Sequence, residues 1–253
     1  MSSRTTPRSA AEQAEAAPSL PAGTGERISG YGVMGLSFAS GDYLALRNMT
    51  AASFGAGYRA LWHRSPDGDW TVYSTADPAH SCERYVGAAC SRPSVRTAID
   101  VEWLDDHTLR VRVGDVLDWT VALRTTVVTR MMTAVGRSLP QWMWTNTVVL
   151  AAVGRVAGPA LRVGKVRLSG EMPNGQRFTA APVRIWAVED SVATLAGRDL
   201  GAPRPLDAQA RMGGFWLPQR GIFMRGFGHF DDLDLARHVS AADRQRELLE
   251  AAT

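Results

Sequence analysis

What most constrains this chain is a strict two-residue alternation, repeated over successive short segments. In AIDVEWLDDHTLRVRV, Ile99, Val101 and Trp103 alternate with Asp100 and Glu102, and Leu109, Val111 and Val113 alternate with Arg110 and Arg112. Successive side chains on a strand point to opposite faces, so each run has one apolar and one charged face, the pattern of a half-buried strand. The acidic face of the first run can pair with the arginines of the second, at roughly 0.2–1 kcal/mol per cross-strand pair. LDWTVAL continues the alternation through Leu117, Trp119, Val121 and Leu123.

Turn chemistry points the same way. In YRALWHRSPDGDWTVYS two β-like runs flank Ser65-Pro66-Asp67-Gly68, where proline presets one turn dihedral and glycine accepts a positive one. Alternation sets Tyr58, Ala60, Trp62 and Arg64 on one face and Arg59, Leu61 and His63 on the other. ISGYGVMGLSFASGDYLALRNM suggests two strands joined around Ser40-Gly41-Asp42. In LRVGKVRLSGEMPNGQRFTAAPVRIWAV, Asn174-Gly175 marks a hairpin, and the apolar phase slips at Gly164 as at a bulge. Residues 198–211 read as a loop, followed by closing strands in GGFWLPQRGIFMRGFGHF.

The period changes in between. Val127, Val128, Met131, Met132 and Val135 recur at helical spacing, and QWMWTNTVVLAAVGRVAG reads as helix, which predicts a helical insertion near residues 126–157. Ser240 with Asp243 three residues on predicts the N-cap of a short C-terminal helix. Residues 1–27 carry almost no large apolar side chains and are expected to form a disordered tail ahead of a single β-rich domain over 28–253. The expected fold class is mainly β, an antiparallel barrel or sandwich with a helical insertion and a short C-terminal helix.

Charge and motifs exclude more than they assign. The net charge is only +3, and Lys165 is the single lysine, so the arginine excess reads as genome composition and no nucleic-acid partner is expected. Arg225-Gly226-Phe227-Gly228 opens like an aromatic RNA-binding strand motif, but His229, Phe230 and Asp232 break it. Gly164-Lys165 is followed by Val166, not a hydroxyl residue, and no GxGxxG opens a helix, so phosphate loops are excluded. Gly35-Leu36-Ser37-Phe38 is followed by Ala39, which fails the nucleophile elbow. Lys165, alone on an expected strand, reads as a solvated residue before it reads as a Schiff-base amine.

Cys82 and Cys90 lack ligand spacing and the histidines are scattered, so no metal and no cofactor are predicted. No apolar core of a signal peptide follows Arg4 and Arg8, which predicts a cytoplasmic protein with ordinary thiols. Residues 147–163 are interrupted by Arg155 and Pro159, so no membrane span is expected.

Eight tryptophans remain to be accounted for. Most fill core, but sheet aromatics that share one enclosed volume wall a cavity for an apolar ligand. The candidate ligand-binding residues are Tyr58, Trp62, Trp119, Trp142 and Trp144, the last two roofing the cavity from the helical insertion. For acid–base chemistry the candidates are His63, in a Trp-flanked strand, and His229 with Asp231, because imidazole titrates near neutral pH.

The meander of WHRSPDGDWTVYS, IDVEWLDDHTLRVRV and GEMPNGQRF resembles the lipocalin-like proteins related to carotenoid 1,2-hydratase (hydroxyneurosporene synthase). That resemblance implies a lipocalin-like barrel holding a hydrophobic small molecule that family members bind, hydrate or cyclise; it carries over no catalytic residue. Three readings follow. The chain is a small-molecule protein holding an apolar lipid, isoprenoid or polyketide-like ligand, or a hydratase, isomerase or cyclase acting on such a ligand, or a structural protein with no ligand. The first two place function between the helical insertion and the sheet.

Overall fold

The computed structural model describes residues 5–251. Its strands are β1 (Glu26–Val33), β2 (Leu36–Ser37), β3 (Tyr43–Ala52), β4 (Tyr58–Arg64), β5 (Trp70–Ser74), β6 (Val95–Arg96), β7 (Asp100–Trp103), β8 (Thr108–Val113), β9 (Leu117–Arg124), β10 (Ser169–Glu171), β11 (Arg177–Leu195), β12 (Arg198–Asp199), β13 (Arg211–Met212), β14 (Phe215–Trp216) and β15 (Ile222–Phe230). The α-helices are α1 (Pro7–Ala16), α2 (Glu83–Val86), α3 (Val127–Ser138), α4 (Thr147–Leu161) and α5 (Ala241–Ala251). The protein is mainly β. Its main sheet runs β6-β5-β4-β3-β1-β15-β11-β9-β8-β7, antiparallel except for the short β5–β6 pair.

The predicted hairpins form where alternation and turn chemistry coincide. At the β4–β5 turn the Gly68 N–H donates to Ser65 O at 3.0 Å, with Gly68 at φ +102°. Gly175, at φ +95°, closes the β10–β11 turn. In the β7–β8 ladder Val101 faces Val111 and Trp103 faces Leu109. Arg112 pairs with Glu102 at 3.6 Å, whereas Arg110 turns to Asp118 on β9 instead.

The sheet curls into a half-barrel. Its two end strands, β6 and β7, are joined only by residues 97–99, and Arg59 on β4 donates to Ile99 O at 3.0 Å. One apolar cluster therefore gathers Leu61 from β4, Trp103 from β7, Leu109 and Val111 from β8, Trp119 from β9 and Phe223 from β15. That concave core is filled by α1, whose Ala10, Ala11 and Ala14 belong to the same cluster. The disordered tail expected over residues 1–27, of which 1–4 lie outside the described residues, is thus corrected over 5–27: Thr6 caps α1 reciprocally with Ser9, Glu15 accepts from the Tyr31 hydroxyl at 2.6 Å, and β1 begins at Glu26. Alanines carry little apolar area, which is why the segment reads as polar, yet Ala10, Ala11 and Ala14 are buried against the curled sheet.

The helical insertion is present as α3, a 3-10 turn over Gln141–Thr145, and α4, which runs to Leu161. The strand expected after it is not. Arg162 takes a left-handed conformation at φ 56° and Gly164 lies at φ +80°, so residues 162–168 turn back irregularly before β10 instead of forming a bulged strand. Ser240 caps α5 as predicted, its hydroxyl accepting from the Asp243 N–H at 3.3 Å. No helix among the described residues is long and apolar enough to cross a membrane.

Because α1 fills the concave face, Ala11→Arg is expected to destabilise the fold by about 1–3 kcal/mol through overpacking. Glu12→Ala, on the exposed side of the same helix, should stay within about 0.5 kcal/mol. Urea unfolding monitored by tryptophan fluorescence compares the two.

Candidate functional site

The opposite, outer face of the central strands carries a second apolar cluster, and within it lies a cavity of about 120 Å³. Alternation along β3 turns Tyr43, Ala45, Arg47 and Met49 to this side, and along β4 Tyr58, Ala60 and Trp62. β11 and β15 add Phe178 and Phe230; α2 and β14 close the space with Cys82, Tyr85 and Phe215.

One charge stands in this apolar wall. Arg47 is 6% exposed, and its guanidinium lies over the Trp62 ring at 4.3 Å. It donates to Val33 O at 2.9 Å, Leu46 O at 3.1 Å and Met34 O at 3.2 Å. The acidic groups facing it are Cys82, Tyr43 and Tyr58, none of which ionises near neutrality. Burial lowers the Arg47 pKa and raises that of Tyr58 well above the phenolic range. Burial also pushes the Cys82 thiol up to about 12, against a hydrogen bond from Trp62 Nε1 to its Sγ at 3.0 Å. The Tyr58 hydroxyl and Thr179 Oγ1, both at the cavity, are buried without a hydrogen-bond partner. The site therefore offers one fixed cation and two unused hydroxyls; among the described residues its lining holds no Asp, Glu, His or Lys.

The cavity's α2 side is anchored by Glu26 at the start of β1. Arg84 Nη2 donates to Glu26 Oε1 at 2.6 Å, and the Tyr85 hydroxyl donates to Oε2 at 2.8 Å. Burial works to raise the Glu26 pKa, but hydrogen bonds from Arg84, Tyr85 and Gln176 outweigh it and hold the carboxyl below its usual range. Tyr85 stacks on Phe230 at 3.8 Å, which locks α2 onto β15.

Of the residues anticipated from sequence, Tyr58 and Trp62 line the cavity. The others do not join them. Trp119 lies in the concave core and donates to Ser191 Oγ at 2.8 Å. Trp144 packs against Leu150 and Ala181 beneath the insertion, while Trp142 is 63% exposed; the space between insertion and sheet is a groove that Trp144 lines, not an enclosed cavity. His63 points to the other face of β4, its Nε2 2.8 Å from Asp42 Oδ1. That buried carboxylate also accepts from Arg198 at 2.9 Å, and hydrogen bonds from His63, Ser40 and Arg198 together overcome the upward effect of burial on its pKa. His229 and Asp231 border an open groove outside β15, with Asp231 paired to Arg177 at 2.9 Å. Lys165 is exposed, its Nζ 4.5 Å from the Trp216 ring. Cys82 and Cys90 are free and buried.

Arg47 was legible as an anomaly. In YLALRNM it is the one charge on the phase shared by Tyr43, Ala45 and Met49, and a charge on a buried phase needs a reason.

No family model matches the chain, and no curated protein matches it in sequence. Among solved structures it is similar to an acetoacetate decarboxylase from Legionella pneumophila, with a TM-score of 0.40 and 10% identity over 88% of this chain and 92% of that one. A likeness that distant bears on neither the fold nor the chemistry.

Beside Cys82, the Glu83 carboxyl is 2% exposed and its Oε2 is unpartnered; burial pushes its pKa up to about 7 from an ordinary 4.5, against a hydrogen bond from Ser94. The folded chain thus holds this proton where the unfolded chain has released it, so stability falls as pH rises from 4.5 to about 7, and the penalty is complete above that window. Glu83→Gln should remove this slope, matching the parent below the window and exceeding it above by at most on the order of 3 kcal/mol. Thermal melts across the window test it.

Proposed function

We propose that the protein binds a small apolar molecule bearing one anionic group, seated in the cavity of the outer face with its charge on Arg47. The observation that carries this reading is a buried guanidinium with no carboxylate. Burying an unpaired charge is costly, and three backbone carbonyls plus one indole face satisfy its donors without neutralising it. A ligand carboxylate would do so, and the unused hydroxyls of Tyr58 and Thr179 supply further contacts to it. Trp62, Phe178, Phe215 and Phe230 then take the apolar part.

Size narrows the ligand. An apolar cavity of roughly 150 Å³ holds benzene, so about 120 Å³ suits a single ring or a short branched chain. An intact carotenoid or long-chain lipid exceeds it. With no base in the lining, the geometry supports holding a ligand over hydrating, isomerising or cyclising it, and a cavity with an unmatched cation favours both over a purely structural role. Free Cys82 and Cys90 suit the reducing cytoplasm.

Isothermal titration with benzoate and benzyl alcohol tests the reading. Benzoate should bind about tenfold or more tightly than the alcohol, the value of a charge-assisted hydrogen bond. Arg47→Met, close in length and apolar, should erase that preference, with a cooperative melting transition showing that the variant is still folded. Equal affinity for both compounds in the parent, or binding of neither, would refute the proposal.

A further inference from the structure

The helical insertion is built inside out. On α3 the buried residues are Thr129 and Gly136, and on α4 Leu150, Gly154, Ala157 and Gly158. Leu150, Trp144 and Met132 do pack inward, but many large apolar side chains face outward: Val127 is 69% exposed, Met131 61%, Val148 77% and Val156 61%, with Trp142 63% exposed at the turn between the helices. A surface helix of a globular protein normally shows the reverse.

Charge is equally one-sided there. No aspartate or glutamate occurs between Asp118 and Glu171, whereas Arg130, Arg137, Arg155, Arg162, Lys165 and Arg167 all lie in that interval and all are exposed. None of these six forms an ion pair among the described residues. Arg124, in the same interval, does pair, with Glu189 at 3.9 Å, and elsewhere many arginines do, as with Arg92–Asp69, Arg96–Asp77 and Arg237–Asp234. Burial, together with the like charges of Arg137 and Arg225, lowers the Arg184 pKa beside this face.

We infer that α3, the 3-10 turn and α4 form a peripheral docking face for an anionic lipid bilayer. Exposed Val, Met and Trp enter the interfacial region, and the unpaired cations meet lipid phosphates, the combination used by helices that lie in the membrane plane. Trp142, between the two helices, sits where an interfacial aromatic anchor belongs. Neither helix is long enough to span, so the contact is in-plane. The uniform positive charge disfavours pairing this face with a second copy of itself, and a nucleic acid would leave Val148 and Met131 without an apolar partner.

Flotation of the full chain with vesicles tests the inference. The protein should float with vesicles of phosphatidylcholine and phosphatidylglycerol, much less with phosphatidylcholine alone, and less as salt is raised. Arg130→Gln and Arg155→Gln should each weaken partitioning about fivefold, and Val148→Asp about tenfold or more. All three positions are exposed, so melting transitions should be unchanged; should Val148→Asp unfold, the arginine variants decide. No flotation with anionic vesicles at low salt overturns the inference, as does binding indifferent to lipid charge. Concentration-dependent dimerisation in light scattering, abolished by Val148→Asp and unaccompanied by vesicle binding, would assign the face to self-association instead.

Discussion

The architecture depends on how the concave face of a strongly curled sheet is filled. The curl comes largely from β11, a long strand that pairs with β15 along its first half and β9 along its second. Its register shifts between Pro182 and Arg184 and again between Val188 and Asp190, and extra residues on one strand bend and twist a ladder. Once bent, the sheet encloses a volume that must be occupied, since voids forfeit contacts on one side. Helix α1 occupies it with three alanines, while Trp119, Trp186 and Phe223 take the rest. The interior of the half-barrel is therefore filled by the described residues, and the apolar cavity lies on the outer face, under α2.

On that outer face the energetics turn on Arg47. Each carbonyl hydrogen bond from a charged donor is worth about 1.5–3 kcal/mol, and the indole contact adds about 2 kcal/mol when desolvated. These terms are comparable with the several kilocalories that an ion loses on leaving water, so the folded state tolerates the charge. They leave it uncancelled, however, because carbonyl dipoles and an aromatic face carry no net negative charge. The same guanidinium is thus affordable for the fold and available to an anion. Its neighbours cannot quench it, since burial drives the Tyr43, Tyr58 and Cys82 protons further on.

How much of this could be read beforehand varied with the physics involved. Strands β4, β5, β7, β8 and β9 were legible because period-two alternation and turn residues agree, and a one-residue slip would expose the apolar set. The buried placement of α1 was not: its contribution is shape rather than hydrophobicity, and Ala10, Ala11 and Ala14 give no periodic signal strong enough to outweigh the surrounding Glu, Gln and Ser. Residues 162–168 misled in the other direction. Val163 and Val166 sit among Arg162, Lys165 and Arg167 in strand-like texture, yet the backbone there reverses out of α4. At the site, Tyr58 and Trp62 followed from alternation on one hairpin. Pairing Trp142, Trp144 or His229 with them required knowing which face of the sheet each element covers, and that is set by contacts distant in sequence.

The insertion shows why periodicity can give the right element and the wrong face. Val127, Val128, Met131, Met132 and Val135 predict a helix, and a helix forms, but their spacing alone suggests that this stripe packs on the sheet. Met132 does, against Ile185 and Ile222; for Val127, Met131 and Val135 close approach decides otherwise. A Cβ added at Gly136 would come within 2.5 Å of Pro182 O, and one at Gly158 within 2.4 Å of Gly164 O. The helices therefore lie against backbone at a distance only small residues allow, as helices pack in lipid where small residues mediate contact. Turning the larger residues inward would push α3 off β11 and α4 off residues 164–166, and sacrifice the burial of Trp144, Leu150 and Ala181. Given that packing, Val127, Met131, Val148 and Val156 have no inward position to take, and water is an unfavourable environment for them at about 25 cal/mol per Å² of apolar surface. An anionic bilayer removes that surface from water and supplies counter-charge to the unpaired cations around it, which answers both features with one partner.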